Sequence, residues 1–272
     1  MTSAISRETL CGAGPVAAAI RLVRYPGSLR QPVHVHDHMT ISLVLRGGLT
    51  ETTHPRRAVT AGTFALVIKA AGVPHADHFS AHGCEILQVE LPREFEPREF
   101  GISEDRVVWR SRVGPELRQF VRLWVAVRSA STGSATDVDL AVCDLLHALA
   151  QDPVAACRVP RWLARLKECI DDSSPASAWS LAGLAAVAGV HPVHMTRMFR
   201  RCYGSSIRDY LKFRRASAAA QYVAGSALPL TDVAHQLAYA DQGHFCRAFR
   251  SIAGIAPGHY RRLLARSGRA RG

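Results

Sequence analysis

The chain has 272 residues, enough at about 100–200 residues per domain for two domains that each bury a core. Hydrophobic residues make up 48% and charged residues 21%, which excludes wholly disordered and fibrous chains. The formal charge is +12, and such an excess either repels itself or faces an anionic partner.

Taken in order, the chain opens with Leu10 to Ile20, broken by Gly12, Gly14 and Pro15, a poor signal-peptide core. From Ile20 to Leu91 short apolar runs alternate with turn residues: Ile41 to Leu45 before Gly47 and Gly48, Phe64 to Ile68 after Gly62, and Glu85 to Val89. This spacing predicts β-structure closed as a small barrel or sandwich. Pro92 to Pro97 break it. From Pro115 the period becomes helical, with Leu117, Phe120, Val121, Trp124, Val125 and Arg128 on one face. A second helix at 137–151 follows, with Leu140, Cys143, Leu145, Leu146 and Leu149 as its face and Thr136 as its cap.

Pro153 to Pro160 read as a linker. Beyond it helices are predicted at 162–171, 180–188, 192–202, 206–224, 230–237, 241–251 and 257–265, punctuated by Gly189, Gly204, Gly225 and Gly254. Leu181 to Val190 is the longest comparable apolar run and is half of what spans a bilayer. The seven cysteines are odd in number and never at CxxC spacing. They indicate neither a disulfide framework nor a zinc finger, and reduced thiols fit a cytoplasmic protein.

The charge is uneven. Residues 161–272 hold 17 Lys and Arg against 6 Asp and Glu, net +11, whereas residues 1–160 hold 17 against 16, net +1. A basic terminal segment on a neutral one reads first as a nucleic-acid binder with a second function, a membrane-surface patch being the competitor. An internal repeat favours the former. An offset of 50 residues aligns His194 with His244, Arg197 with Arg247, Phe199 with Phe249, Arg200 with Arg250, Gly204 with Gly254 and Tyr210 with Tyr260.

A short apolar helix and a turn precede each copy, so each unit reads as a helix-turn-helix. Met195, Met198 and Phe199, and Phe245, Ala248 and Phe249, supply apolar faces. Val193, His194, Thr196 and Arg197, with Gln242, His244 and Arg247, are the candidates for reaching bases. A bidentate Arg–guanine or Gln–adenine pair is worth about 1–3 kcal/mol of discrimination. Arg200, Arg201 and Arg250, with Lys212, Arg214 and Arg215, suit phosphates.

These residues carry a family resemblance. Leu181-Ala, Met195-Thr-Arg-Met-Phe-Arg-Arg, Gly204, Tyr210, Val233-Ala, the run from Asp241 to Arg250, Gly254, Pro257 and Tyr260-Arg261 resemble the DNA-binding domain of AraC/XylS-type bacterial transcription regulators. The resemblance covers Trp162 to Arg262. It implies two helix-turn-helix units joined by a long helix, entering successive major-groove segments of duplex DNA. Ala238 stands where the family usually has Gly, and Ala216 where it often has Leu. The second turn is therefore expected to be tight and the central helix less well packed.

In the first part, His34-Val-His36, Thr40, Gly47, Gly72 and His75 resemble the two cupin motifs, with Thr40 in place of the motif's glutamate and Ala70 in place of its proline. The resemblance implies that His34, His36, Thr40 and His75 line an effector pocket, and that no cofactor is required. A divalent metal held by His34, His36 and His75 is the alternative. His38, His78 and His82 are expected on the outer face or in loops.

The organisation expected is therefore multi-domain: a cupin-like sensor barrel over 1–97, a helical connector and dimer surface over 98–152, a linker over 153–161, an all-α double helix-turn-helix domain over 162–265, and a basic tail over 266–272. The chain reads as a cytoplasmic, non-enzymatic, one-component transcription activator or repressor. Its expected partners are DNA, a small effector, RNA polymerase and a second copy of itself. The rival classes are a cupin metalloenzyme and an architectural DNA-binding protein without effector.

Overall fold

The computed structural model describes every residue except 1–3, 13, 15, 54–56, 101–106, 111–113, 130–134, 151–156 and 269–272. Among the described residues, eight strands form one antiparallel sheet: β1 (Ser6–Cys11), β2 (Ala19–Tyr25), β3 (Arg30–His34), β4 (Thr40–Thr53), β5 (Arg57–Gly62), β6 (Leu66–Lys69), β7 (His75–Glu90) and β8 (Val107–Arg110). The order is β1-β2-β7-β4-β6-β8, with β3 on β7 and β5 on β4. β4 and β7 are long enough to serve both halves of the sheet, and register shifts near Val44–Leu49 bend the pair. Gly47 sits at that bend with φ +78°; a Cβ there would lie 2.0 Å from the Gly83 carbonyl oxygen, so the bend requires glycine.

Alternation along β4 decides what each face meets. Ile41, Leu43 and Leu45 face a core shared with helices, whereas Val44 joins Leu49, Phe79, Cys84 and Ile86 in a second cluster on the interior side. Thr40, buried on the same side as Val44 by this alternation, pairs in register with Lys69. β1 and β8 were not expected from sequence. The pairing of β1 with β2 and of β8 with β6 is long-range and leaves no mark in these short segments.

α1 (Pro115–Ser129) and α2 (Ala135–Ala150) pack on each other and on the sheet. α2 starts at Ala135, which places Thr136 inside the helix rather than at its cap. Its buried face is Val138, Val142, Leu145, Leu146 and Leu149, while Leu140 is 60% exposed and Cys143 is exposed. The face is therefore rotated from the one read in the sequence. The stripes of both helices are consumed inside the chain, so they are not a free dimer surface.

Seven further helices follow: α3 (Arg161–Asp172), α4 (Leu181–Ala188), α5 (Pro192–Tyr203), α6 (Ile207–Gly225), α7 (Leu230–Gln236), α8 (Gln242–Ala253) and α9 (Pro257–Gly268). They match the predicted segments within a few residues at each end. The basic tail lies largely outside the described residues. Among the described residues, no helix is long and apolar enough to cross a membrane.

The two helix-turn-helix units differ in what holds them. The first, α4–α5, has its own core with α3 and the start of α6: Leu163, Leu166, Ile170, Leu184, Met195, Phe199 and Tyr210. The second, α7–α8, is continuous with the sheet and with α1 in one apolar core. Phe64 packs at a tilt against Phe249 (5.9 Å between centroids) and edge-on against Tyr260 (5.5 Å), and Trp124 meets Tyr260 edge-on at 5.4 Å. The Tyr260 hydroxyl donates to the Leu45 carbonyl of β4, and Ser217 of α6 donates to the Thr63 carbonyl at 2.5 Å.

Ala216, Ala219 and Ala220 are fully buried along α6, and their small side chains let α6 lie close to β4. The alanine at 216 is thus a close-packed contact, not the packing weakness expected from the resemblance.

The turns confirm one departure and refine it. Gly189 closes α4 at φ +64°, and Ala238 stands in the second unit at φ +53°. The left-handed conformation costs an L-residue about 1–2 kcal/mol, partly offset by the smaller unfolded-state entropy of alanine. Ala238→Gly is expected to raise stability by about 0.5–1 kcal/mol, read as a higher denaturant midpoint. A lowered midpoint would show the turn to be unstrained.

A second correction concerns the thiols. Cys157 and Cys202 are bonded, with their Cα atoms 5.0 Å apart, across 45 residues of sequence. No local spacing signals such a pair; the return of α5 beside the segment preceding α3 creates it.

Candidate functional site

The second helix of each unit presents the same face. α5 begins at Pro192, the His191 ring accepting from the Val193 backbone N–H at 3.3 Å. α8 begins after Asp241, whose carboxylate accepts from the His244 backbone N–H at 2.6 Å, a bond that holds this carboxyl below the usual range. Met195, Phe199 and Cys202 in α5, and Phe245, Phe249 and Ile252 in α8, occupy matching buried positions.

On the opposite side Val193, His194, Arg197, Arg200 and Arg201 are exposed, as are Gln242, His244, Arg247 and Arg250. Thr196 is half-buried and its hydroxyl donates back to the Val193 carbonyl at 3.1 Å. His194 lies 5.6 Å from the Trp162 ring and His244 5.4 Å from Tyr239. Both imidazoles are therefore braced by an aromatic at one flank while remaining open at the other.

Two of the arginines read as phosphate ligands are internal braces. The Arg214 guanidinium donates to the carbonyls of Asp171 (2.6 Å) and Ser173 (3.0 Å) and pairs with the Asp171 carboxylate at 3.4 Å. Arg215 donates to the Pro175 carbonyl and lies 5.5 Å over the Tyr239 ring. Together they tie the first unit to α6 and the second unit, fixing the spacing of the two reading helices. Lys212 and Arg208 stay exposed on α6, beside a cleft of about 380 Å³ between the units.

A second cluster lies in the β-domain. His34 ends β3 and His75 begins β7, the two facing each other in register. His36 follows on the loop, and the three rings lie 4.3–5.3 Å apart between centroids. The strand period puts Asp77 on the same face as His75, and the β4–β7 register puts Glu51 opposite Asp77. The Lys69 ammonium lies 2.5 Å from Glu51 and 3.6 Å from Asp77; the Trp109 indole N–H donates to Glu51 at 3.1 Å.

Burial and the Lys69 charge push His36 down to about 3 and His75 down to about 4, so both imidazoles are neutral at neutral pH. Thr40 is buried on the same interior face. His78 and His82 are exposed, and His38 bonds the Leu91 carbonyl. Sequence reasoning missed Glu51, Lys69 and Asp77. His75-x-Asp77 was readable as one strand face, whereas Glu51 and Lys69 arrive only through pairing of distant strands.

Comparison with known proteins agrees with the double helix-turn-helix. A family model described as a helix-turn-helix domain matches residues 184–263. A putative AraC-like transcription regulator of Streptomyces antibioticus is 29% identical over 136 residues, 45% of this chain and 43% of that protein. The transcriptional activator NphR of a Rhodococcus species is 29% identical over 140 residues, 52% of this chain and 42% of its own length. The right origin-binding protein of Escherichia coli is 37% identical over 83 residues, 30% of this chain and 29% of that one.

The chain thus spans under half the length of these curated relatives. Among solved structures it is similar to the C-terminal domain of AraT from Geobacillus stearothermophilus, at 28% identity, TM-score 0.36, over 39% of this chain and 88% of that one. ToxT from Vibrio cholerae matches at 10% identity and TM-score 0.38, over 90% of this chain and 97% of that one. Two tandem helix-turn-helix units define the class as a DNA-binding fold. In that region the chain is similar to AraC-like transcription regulators.

Proposed function

We propose that this chain is a one-component, sequence-specific transcription regulator, with no catalytic role, acting on duplex DNA in the cytoplasm. The observation that carries this is the repeated face of α5 and α8: the same buried positions, and the same exposed His, Arg and Arg fifty residues apart. Val193, His194, Thr196, Arg197, Gln242, His244 and Arg247 face bases in this reading. Arg200, Arg201 and Arg250 hold phosphates.

The division is a cupin-like sensor over 1–97, a connector over 98–152, a linker over 153–161 and the DNA-binding domain over 162–265. The sensor takes a small effector against His34, His36, Thr40 and His75, and its occupancy shifts the populations of arrangements open to DNA and to RNA polymerase. A short physical route supports this: β6 runs from Lys69 in the pocket to Leu66, next to the turn in which Thr63 and Phe64 hold α6, α8 and α9. Homodimerisation belongs to the same reading, with the outer face of α2 around Leu140 as its surface.

Binding of the full chain to a selected duplex site is expected to weaken steeply with salt, log K falling by about 0.9 per phosphate contact for each tenfold rise. An affinity independent of salt would reject DNA as the partner. An architectural protein would bind random duplexes as tightly as the selected site, and the effector reading would then fall with the specificity.

A further inference from the structure

We propose that the cleft between the two helix-turn-helix units binds a small organic carboxylate with a flat apolar body, and that this ligand opposes DNA binding. The site lies outside the sensor domain. Its opposition to DNA rests on the reading of α8 given above; the binding itself does not.

The cleft holds about 380 Å³, a size that takes small ligands. Its walls come from the 174–179 segment ahead of the first unit, from α6 and from α8. On α6 Arg208, Leu211, Lys212 and Arg215 recur at helical spacing, and on α8 so do His244, Ala248 and Ser251. Two helix stripes therefore face one space.

Charge selects the kind of ligand. Arg208, Lys212, Arg214 and Arg215 line the cleft, and among the described residues no carboxylate does. Arg214 is paired with Asp171 at 3.4 Å and Lys212 with Asp209 at 3.3 Å. Arg208 and Arg215 make no ion pair among the described residues, so their charge is left for a partner. Arg215 spends only its Nε, 3.4 Å from the Pro175 carbonyl oxygen. Its two terminal amino groups make no hydrogen bond among the described residues, and these are the donors with which arginine grips a planar carboxylate.

Tyr239 supplies a second donor. It lines the same cleft and is only 7% exposed, enclosed by the Arg215 guanidinium at 5.5 Å and by the rings of His244 and Phe245. Burial pushes its phenol up to about 12, so it keeps its proton. Its hydroxyl makes no hydrogen bond among the described residues. A nearly buried O–H beside an unspent guanidinium fits an acceptor that carries negative charge.

The other walls are apolar: Trp179, Leu211, Ala248 and Ile252. The Trp179 indole is held in place, its N–H donating to the Ser173 hydroxyl at 3.1 Å, and so offers a fixed flat face. A bare phosphate, free or in a DNA backbone, would meet the cations and leave these walls unused. A carboxylate on a flat apolar body meets both.

His244 stands on two surfaces. It borders the cleft and is among the residues read above as facing bases. An anion held beside it, and beside the phosphate candidate Lys212, sets negative charge against an approaching duplex. The opposition is reciprocal, each ligand weakening the other.

The test titrates the full chain with α-naphthoate by calorimetry at fixed ionic strength. One equivalent is expected to bind, whereas α-naphthylmethanol, which lacks the charge, and sulfate, which lacks the flat body, should compete poorly. Tyr239→Phe removes only the hydroxyl, and Arg215→Lys keeps the charge but loses the fork; each should weaken binding roughly tenfold or more. Ser251→Phe, at an exposed position, fills the cleft and should abolish binding. Far-UV circular dichroism and the unfolding midpoint confirm the fold of each variant.

Absence of saturable binding, sulfate as effective as naphthoate, or naphthoate binding unchanged in Ser251→Phe overturns the proposal. Binding kept in Ser251→Phe but lost in His36→Ala places the ligand in the β-domain and overturns it equally. Naphthoate should weaken binding of the wild type to a selected duplex and leave that of Ser251→Phe, compared with its own affinity without the probe, unchanged. Naphthoate held in the cleft with no effect on DNA affinity overturns the opposition. Protein that takes naphthoate there but binds no duplex sustains the site and overturns the DNA-binding reading instead.

Discussion

Truncation of Phe249 to alanine is expected to cost about 3–5 kcal/mol and to lower the unfolding midpoint of the entire chain. Truncation of its repeat partner, Phe199, is expected to cost a similar amount but to melt only the first helix-turn-helix unit. Both rings are fully buried at equivalent positions of equivalent helices, so the difference lies in what they touch. Phe249 meets Phe64 of the β-domain and Tyr260, inside the core that runs from sheet to α9. Phe199 meets Tyr203 and Tyr210 within the smaller core of its own unit.

The four tryptophans make this measurable. Trp162 and Trp179 border the small core, while Trp124 lies in the large one and Trp109 beside the interior cluster. In single-tryptophan backgrounds, Phe199→Ala should lower the transition seen by Trp162 and Trp179 and spare that seen by Trp124. Coincident transitions in both variants would mean that the chain unfolds as one cooperative unit.

Arg197→Ala and Arg247→Ala are each expected to weaken binding to the selected site by about 1–3 kcal/mol, or roughly 5–150-fold. Each should relax base preference at a different position, because the two side chains sit on separate reading helices. Arg247 is well placed for this: its Nη1 lies 3.2 Å from where a Gly243 Cβ would stand, over the first turn of α8, the part of such a helix that reaches base edges. Quantitative binding to the selected site and to random duplexes decides. An equal loss on both would assign the arginines to phosphate. The double variant should lose close to the sum, since neither side chain contacts the other.

Much of the helical region was legible because its information is local. Caps, turn glycines and a 3.6-residue period each depend on a few neighbouring residues, and the fifty-residue repeat marked the two units before any packing was known. The β-domain was legible in type but not in detail. Strand identity follows from short apolar runs, whereas pairing is a property of residues far apart, which is why β1 and β8 and the contribution of Glu51 and Lys69 escaped notice. Arg214 and Arg215 were misread for a related reason: arginine on a basic helix looks alike whether it faces solvent or the carbonyls at the end of another helix.

By itself the sequence determined the number and place of the helices, the double helix-turn-helix with its exposed Arg197 and Arg247, and the convergence of three histidines. The helices and the repeat follow from periodicity, capping and repeat spacing, which are written in consecutive residues, whereas the meeting of the histidines was implied by the resemblance to the cupin motifs. Only the tertiary structure decided that the second unit is welded to the β-domain through Phe64, Trp124 and Tyr260 while the first stands on its own core. It alone bonded Cys157 to Cys202, buried the stripes of α1 and α2, and brought Asp77 beside His34 and His75. Tyr210 and Tyr260 are the same residue at the same repeat position, yet one hydroxyl donates to Asp171 of α3 and the other to Leu45 of β4. The partner is set by which surface the fold brings alongside, and no stretch of neighbouring residues encodes that.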